Sequence, residues 1–339
     1  MSRRPTIRDV AARAGVSIAT VSRVLNNRGD VSLATRERVR EVARSVGYSA
    51  DPAARGLVTQ RTQLVAVVVG DNAGHRDLSL LFFGHVLAAI SRRLARADYE
   101  ALLLQPVELG VHHRFDAAIL IGVDGSDPLV TDLWMRSIPY VGVDVRVGGR
   151  RNAFVGSDHG QGVRLALTHL HELGHYGIAH IAGARNTVAG ADRIAAFEHE
   201  TRVLGLDLPE GYVREADFSS AGGYQATAAL LALDARPSAI VAASDLMALS
   251  ALQAIRDAGL EPGRDVAVIG FDDIEAAALA YPPLTTIRQD REKLGTLAAE
   301  RALELIEHAD TNPPDTILPV ELVVRSSTGV WPCGPDPSS

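Results

Sequence analysis

The chain of 339 residues has a single cysteine, Cys333, near a proline-rich end. That excludes an internal disulfide framework and any cysteine-clustered metal site. Lysine is as scarce: Lys293 stands alone among 34 basic residues, which we read as a bias of genome composition. No apolar run approaches the roughly 18–20 residues of a membrane span. Met1-Ser2-Arg3-Arg4-Pro5 leads into a charged amphipathic pattern without the apolar core of a signal peptide, so a cytoplasmic location is expected. No GxGxxG follows the first apolar run and no GxxxxGK(S/T) occurs anywhere, which withdraws support from dinucleotide and P-loop chemistry. No cofactor is expected.

What is present is a globular composition, 47% hydrophobic and 22% charged, in a chain too long for one core. The net charge of −7 is unevenly spread. Residues 1–61 hold twelve Arg against five acids, a balance of +7, so the remainder carries −14. A small basic head on an acidic body suggests that the head meets a polyanion.

In the head, Ile7, Val10, Ala11 and Ala14 recur at helical spacing. Ser17 then caps a second helix running to Asn26, with Val21, Val24 and Leu25 inward, and Ser32 caps a third that buries Val39, Val42, Ala43 and Val46. Ala11 followed by Gly15 permits the close crossing and tight turn of a helix-turn-helix. In that motif the second helix enters the major groove. Ile18, Ala19 and Arg23 become the base-facing trio: Arg23 suits a guanine, the other two a thymine methyl. Thr6, Ser17, Ser22, Asn26, Ser32 and Thr35 suit phosphate contacts, with Ser17 and Ser32 also acting as caps. Asp51-Pro52 opens a short segment through Gly56 and Leu57, too short to be a stable helix alone, and we expect it to order only when something docks against it.

These runs carry a resemblance. Thr6 through Ala11, Ala14 through Ser17, Thr20 through Asn26, and Gly47-Tyr48 leading to Ala54-Arg55-Gly56-Leu57 resemble the head of the lactose/galactose repressor family. The resemblance implies a hinge helix that folds on DNA in a dimer, with Leu57 wedging into the minor groove and Ala54 beside it. The family's usual proline is Ala50 here, with Pro52 two residues on.

The body reads as α/β, two doubly wound parallel sheets in two lobes with a cleft between strand C-termini. Leu64–Val69, Ala117–Ile121, Ile138–Val143, Gly177–Ile181, Ala239–Ala243 and Val266–Ile269 are its predicted strands. The body is similar to the family's effector domain, itself like periplasmic sugar-binding proteins, through Gly270-Phe271-Asp272-Asp273, Pro282 through Ile287 and Leu322 through Thr328. By that resemblance Arg193, Phe218, Ser244, Asp272 and Gln289 are effector contacts, with Asp144 and Asp158 weaker candidates. Asp and Arg can hold adjacent hydroxyls and an aromatic face can cover a sugar ring; equally, Asp272 can cap the next helix and Phe218 can be core. The first lobe departs from the family in a longer stretch from Asp71 to Phe82 and a shorter one from Leu104 to Asp116, so its second helix is expected to be reduced or lost.

One motif points elsewhere. His171-Glu172-Leu173-Gly174-His175 matches HExxH, the zinc-peptidase signature. Gly174 should end that helix, which would take His175 off the face of His171 and break the metal site. No metal is expected.

The expectation is a ligand-responsive DNA-binding regulator: a repressor binding a near-palindromic operator as a homodimer, and not an enzyme. Its partners would be double-stranded operator DNA and a sugar-, polyol- or nucleoside-like effector. The expected domains are a head (1–49), a hinge (50–61), a two-lobed body (62–330) and a disordered tail (331–339). An exported solute-binding protein and a zinc hydrolase are the rivals; the basic head opposes the first, the broken helix the second.

Overall fold

A computed structural model describes residues 5–25, 31–48, 61–70, 79–105, 114–123, 127–146, 148, 151–308, 311 and 313–331, the side chains of 79–81 excepted. Asn26, Ala54, Leu57, Cys333, the expected hinge at 50–60, residues 71–78 and the expected tail beyond 331 lie outside them. The chain divides into two compact units, Met1–Gln63 and Leu64–Ser339.

The first unit holds α1 (Ile7–Ala14), α2 (Ile18–Leu25) and α3 (Leu33–Ser45). Thr6 precedes α1, and both its amide and its hydroxyl donate to the Asp9 carboxylate at 2.7 Å. Gly15 ends α1 at φ 62, the left-handed conformation that costs glycine nothing. Val10, Ala11, Ala14, Val21, Val24, Val39 and Ala43 form one buried cluster, with Leu25, Val42 and Val46 packed on its rim. That is the inward set the spacing predicted.

In the second unit, β1 (Leu64–Val69), α4 (Ser79–Ala95), β2 (Glu100–Leu104), β3 (Ala117–Ile121), α5 (Pro128–Met135), β4 (Tyr140–Val143) and β5 (Asn152–Ser157) build the first lobe. The chain crosses to the second lobe through α6 (His159–Glu172), β6 (Ile178–Ala182), α7 (Val188–Val203), β7 (Val213–Glu215), α8 (Ser220–Leu231), β8 (Ala239–Ala242), α9 (Asp245–Asp257), β9 (Ala267–Asp272), α10 (Glu275–Leu279) and β10 (Thr285–Arg288). It returns for α11 (Arg291–Glu307) and β11 (Thr316–Leu318), and ends in the second lobe with β12 (Glu321–Val323). The sheet orders are β11-β5-β4-β3-β1-β2 and β12-β10-β9-β8-β6-β7. Every pairing is parallel except β10 with β12. The β-branched run of β1 is buried on both faces because it lies between β2 and β3 with helices above and below.

Two features place the lobes. Helix α11 follows second-lobe β10 yet packs Leu294, Ala298, Ala299 and Ala302 into the first lobe's core. Gly295 lets it lie close on α4, since a Cβ there would sit 2.4 Å from the Val86 carbonyl oxygen. The connections are bonded to each other: the Asp158 amide donates to the Leu318 carbonyl at 2.8 Å, and the Val320 amide to the Gln161 side chain at 3.0 Å. Between β2 and β3 only residues 105–116 remain; 106–113 lie outside the described residues, so the expected loss of a helix there is not reached.

Helix α6 ends at Glu172, with Gly174 at φ 85 and the His175 amide donating to the Leu170 carbonyl at 3.0 Å. This Schellman-type close turns His175 away from His171. The His175 nitrogens instead meet Ser238 Oγ and the Gly329 carbonyl, each at 3.0 Å. The HExxH string therefore forms a helix stop with a core histidine. Among the described residues, no three His, Cys, Asp or Glu side chains gather where a metal could be held.

His180 on β6 is also buried; it stacks on Phe197 at 4.8 Å and bonds the Val241 carbonyl at 2.8 Å. Burial pushes its pKa down to about 4. Below its ordinary value near 6.5 the unfolded chain binds a proton that the folded chain refuses, so stability falls as pH drops from there toward 4. The loss reaches about 3 kcal/mol at full extent. Urea denaturation at pH 7 and 4.5 should show a smaller difference for His180→Asn than for the wild type; an equal difference would remove His180 from the account.

Candidate functional site

On the head, α2 presents Ile18, Ala19 and Arg23 on its exposed face, while Val21 and Val24 anchor the opposite one. Ser17 Oγ accepts from the Thr20 amide at 3.0 Å, and Ser32 Oγ from the Thr35 amide at 3.4 Å. The hydroxyl pairs Ser17–Thr20 and Ser32–Thr35 each lie 2.9 Å apart at an exposed helix start. Both serines are thus caps, as expected, at surfaces where helix N-termini favour anions. Ser22 is half-buried beside Arg23.

In the body, the predicted effector residues gather unequally. Arg193 on α7 is the centre, only 3% exposed. It donates to the Ala243 carbonyl, its Nε and Nη2 reach His159 Nδ1 at 3.4 and 3.3 Å, and its face lies 3.6 Å over the Phe271 ring. Arg193 has only donors to offer, so His159 Nδ1 accepts and the imidazole proton sits on Nε2. That Nε2 lies 3.2 Å from Asp144 Oδ1 in the first lobe, out of hydrogen-bond alignment.

Asp272 ends β9 at φ 125 and accepts from Gln289 Nε2 at 2.7 Å. It does not cap α10, whose N-cap is Ile274, with no side-chain bond. The Ile274 amide is instead held by Asp245, which also accepts from the Thr286 hydroxyl. Ser244 is spent as the cap of α9, accepting from the Met247 amide at 3.3 Å. Phe218, at φ 64, lays its ring over Gly183, where a Cβ would come within 2.0 Å of Phe218 Cζ. It packs on the second lobe's core at the C-terminal end of β6, so the core reading holds for part of its surface. Asp158, a weaker candidate, caps α6 by accepting from the Gln161 amide at 2.8 Å.

The electrostatics follow from burying one guanidinium among three carboxylates. Burial pushes Arg193 down, opposed by Asp272, Asp144 and Asp245. Burial also works against the Asp144 charge, but His159, Arg193 and the Ser157 amide outweigh it and hold Asp144 below its ordinary value. Asp272 is pushed up to about 6 by burial, against the pull of Arg193 and Gln289. Asp245 is pushed well above the carboxylate range by burial and the adjacent Asp272. Sequence reasoning missed three members: Phe271 lay inside a run already quoted, Asp245 directly follows the candidate Ser244, and His159 carried no signal of its own.

A helix-turn-helix head joined to a two-lobed α/β body, with a buried polar cluster between strand ends, defines a DNA-binding regulator with a ligand-sensing domain. Residues 6–51 match the family described as "Bacterial regulatory proteins, lacI family". Residues 167–328 match "Periplasmic binding protein-like domain". The HTH-type transcriptional regulator CelR of Thermobifida fusca is 35% identical, covering 96% of this chain and 98% of the relative. The lactose operon repressor of Escherichia coli K12 is 32% identical, covering 95% and 90%. A lac repressor dimer bound to operator and the anti-inducer ONPF superposes with a TM-score of 0.81 at 30% identity, covering 96% of this chain and 100% of that one. A CelR–cellobiose complex gives 0.73 at 32%, with the same coverage. The chain belongs to the lacI family of bacterial regulatory proteins. Its relatives are transcriptional regulators rather than enzymes, and it is a DNA-binding transcriptional regulator as they are.

Arg193→Met leaves the surrounding carboxylates without their buried cation and should cost about 3–5 kcal/mol of stability. The penalty should be larger at pH 8, where Asp272 is ionised, than at pH 5, where it is protonated. Denaturant unfolding at both values checks this; a pH-independent loss, or none, would contradict it.

Proposed function

We propose that the chain is a repressor that binds a near-palindromic operator as a homodimer and senses a neutral, polyhydroxylated metabolite, such as a sugar, polyol or nucleoside, between its lobes. The observation that carries this reading is a pair of buried polar atoms without hydrogen-bond partners at the crossovers, Ser157 Oγ and Gln289 Oε1. They lie beside the cluster in which Arg193 faces Asp144, held ionised, and Asp272, which titrates at about 6. A hydroxyl-rich ligand can donate to Gln289 Oε1 and pair with the Ser157 hydroxyl, which satisfies both atoms. Arg193, Phe218, Asp272 and Gln289 are the contacts we assign, with Ser244 contributing less because its hydroxyl already caps α9. The relatives support the class: one was solved with cellobiose, another with operator and an anti-inducer.

On the DNA side, Ile18, Ala19 and Arg23 read bases and Thr6, Ser17, Ser22, Asn26, Ser32 and Thr35 hold phosphates. Residues 50–61 form the hinge between a head at 1–49 and a body at 62–330, with Ala54 and Leu57 in the minor groove and a tail from 331. A two-fold operator matches a two-fold dimer. Effector binding moves DNA affinity by a coupling energy of about 1–3 kcal/mol. The protein works in the cytoplasm; among the described residues no helix is long and apolar enough to cross a membrane.

A thermal-shift screen of cellobiose, lactose, polyols and nucleosides tests the effector class, since a ligand of the folded state raises the melting temperature. For a binder that donates hydroxyls to Asp272, affinity should fall about tenfold per pH unit well below 6. Asp272→Asn should flatten that profile, and an unchanged profile would remove Asp272 from the site. On the DNA side, log affinity against log salt should slope near −7 for about eight neutralised phosphates. Leu57→Ala should weaken operator binding and spare effector affinity. Operator binding that ignores both salt and Leu57→Ala would sink the head's assigned role.

A further inference from the structure

The two lobes touch the same imidazole. His159 is the first residue of α6, directly after the crossover from β5, and is 2% exposed. Its Nδ1 takes two long hydrogen bonds from Arg193 of the second lobe. Its Nε2 lies 3.2 Å from Asp144 of the first lobe. The ring rests 5.9 Å from Phe271, the ring that also carries the Arg193 guanidinium. Asp144 is itself fixed: at φ 51 it closes the turn after β4, and its Oδ1 accepts from the Ser157 amide at 3.1 Å. An acceptor on one side and a proton on the other, with both groups from different lobes, is a link whose length is set by the ring.

We propose that His159 is a positioning residue that ties the second lobe's Arg193 to the first lobe's Asp144 and thereby sets how tightly the lobes close. The geometry places the link beside the pivot, where the first and third crossovers are bonded to each other through Asp158–Leu318 and Val320–Gln161. Rotation of one lobe against the other changes the Asp144–Arg193 separation while the crossover bonds stay in place. The Nε2–H is within reach of Asp144 but off its axis, so a small rotation one way completes the hydrogen bond and the other way carries the two groups out of reach. Completion satisfies a buried N–H that otherwise has no partner, a difference large enough to bias a closure equilibrium. The groups facing the imidazole are Asp144 from the turn after β4 and Arg193 from α7, with Asp272 and Asp245 beyond the guanidinium and Asp158 one residue before it.

The test needs no effector, so it stands apart from the identity of the ligand. Nitroxide labels go on two exposed positions, one per lobe, as Met135→Cys on α5 and Val203→Cys on α7 in a Cys333→Ser background. The full-length chain is diluted with unlabelled chain so that only distances within a protomer are read. Double electron–electron resonance on the parent should give one narrow inter-lobe distance. His159→Phe, which keeps a ring but neither donor nor acceptor, should broaden it or add a second population. His159→Gln, which can still accept from Arg193 and donate to Asp144, should restore the narrow distribution. Asp144→Gly, which tolerates the positive φ and cuts the first-lobe end, should broaden it as His159→Phe does, and the double variant should broaden it no further. Should His159→Phe fail to fold, Asp144→Gly against His159→Gln carries the test. A narrow distribution in Asp144→Gly, or a broad one in His159→Gln, overturns the proposal.

Discussion

The body is organised around one buried guanidinium. Taking the Arg193 charge out of water costs several kcal/mol, which only close partners can offset. The fold supplies partners from every direction: a carbonyl from the end of β8, an aromatic face from β9, carboxylates from β4, β9 and α9, and an imidazole from the start of α6. Those elements belong to two sheets, and the strand ends that meet are the C-terminal ends where open α/β folds gather polar groups. Pairing Arg193 therefore requires both lobes, and the crossovers beside it are where the lobes can turn.

This requirement explains the titration pattern. Three carboxylates share one cation and cannot all be fully ionised, so their pKa values separate. Asp144, nearest the imidazole and an amide, is held below its ordinary value; Asp245, buried beside another acid, is raised well above its own; Asp272 is raised to about 6. Carboxylates poised at different values beside one guanidinium offer both hydrogen-bond donors and acceptors, which is what hydroxyls pair with.

The head and the helix stops were legible because local rules decide them. Helical spacing plus Gly15 fixed the inward face of α1 and α2, and Gly174 at the end of α6 was enough to set aside the HExxH string. Strands were half legible. β1 and β3 were read with the right ends because they are central and uniformly β-branched or apolar. The edge and crossover strands Val213–Glu215, Thr316–Leu318 and Glu321–Val323 were not, being short, partly exposed and defined by partners far along the chain. The same reason hid His159. Its meaning depends on Asp144, which lies in the other lobe, and on Arg193, a helix and a strand away, so no spacing announces it. Ser244 shows the converse, a polar residue carried over by position whose hydroxyl the local helix already uses.

The account is tested most directly by the proton on His159. With histidine labelled in nitrogen-15 and the resonance assigned by its loss in His159→Gln, a long-range nitrogen–proton correlation spectrum reports which ring nitrogen is protonated. A proton on Nε2 and an accepting Nδ1 at neutral pH is the state that joins Arg193 to Asp144. A proton on Nδ1 there would turn the imidazole against the guanidinium and contradict the link on which the lobes' coupling is built.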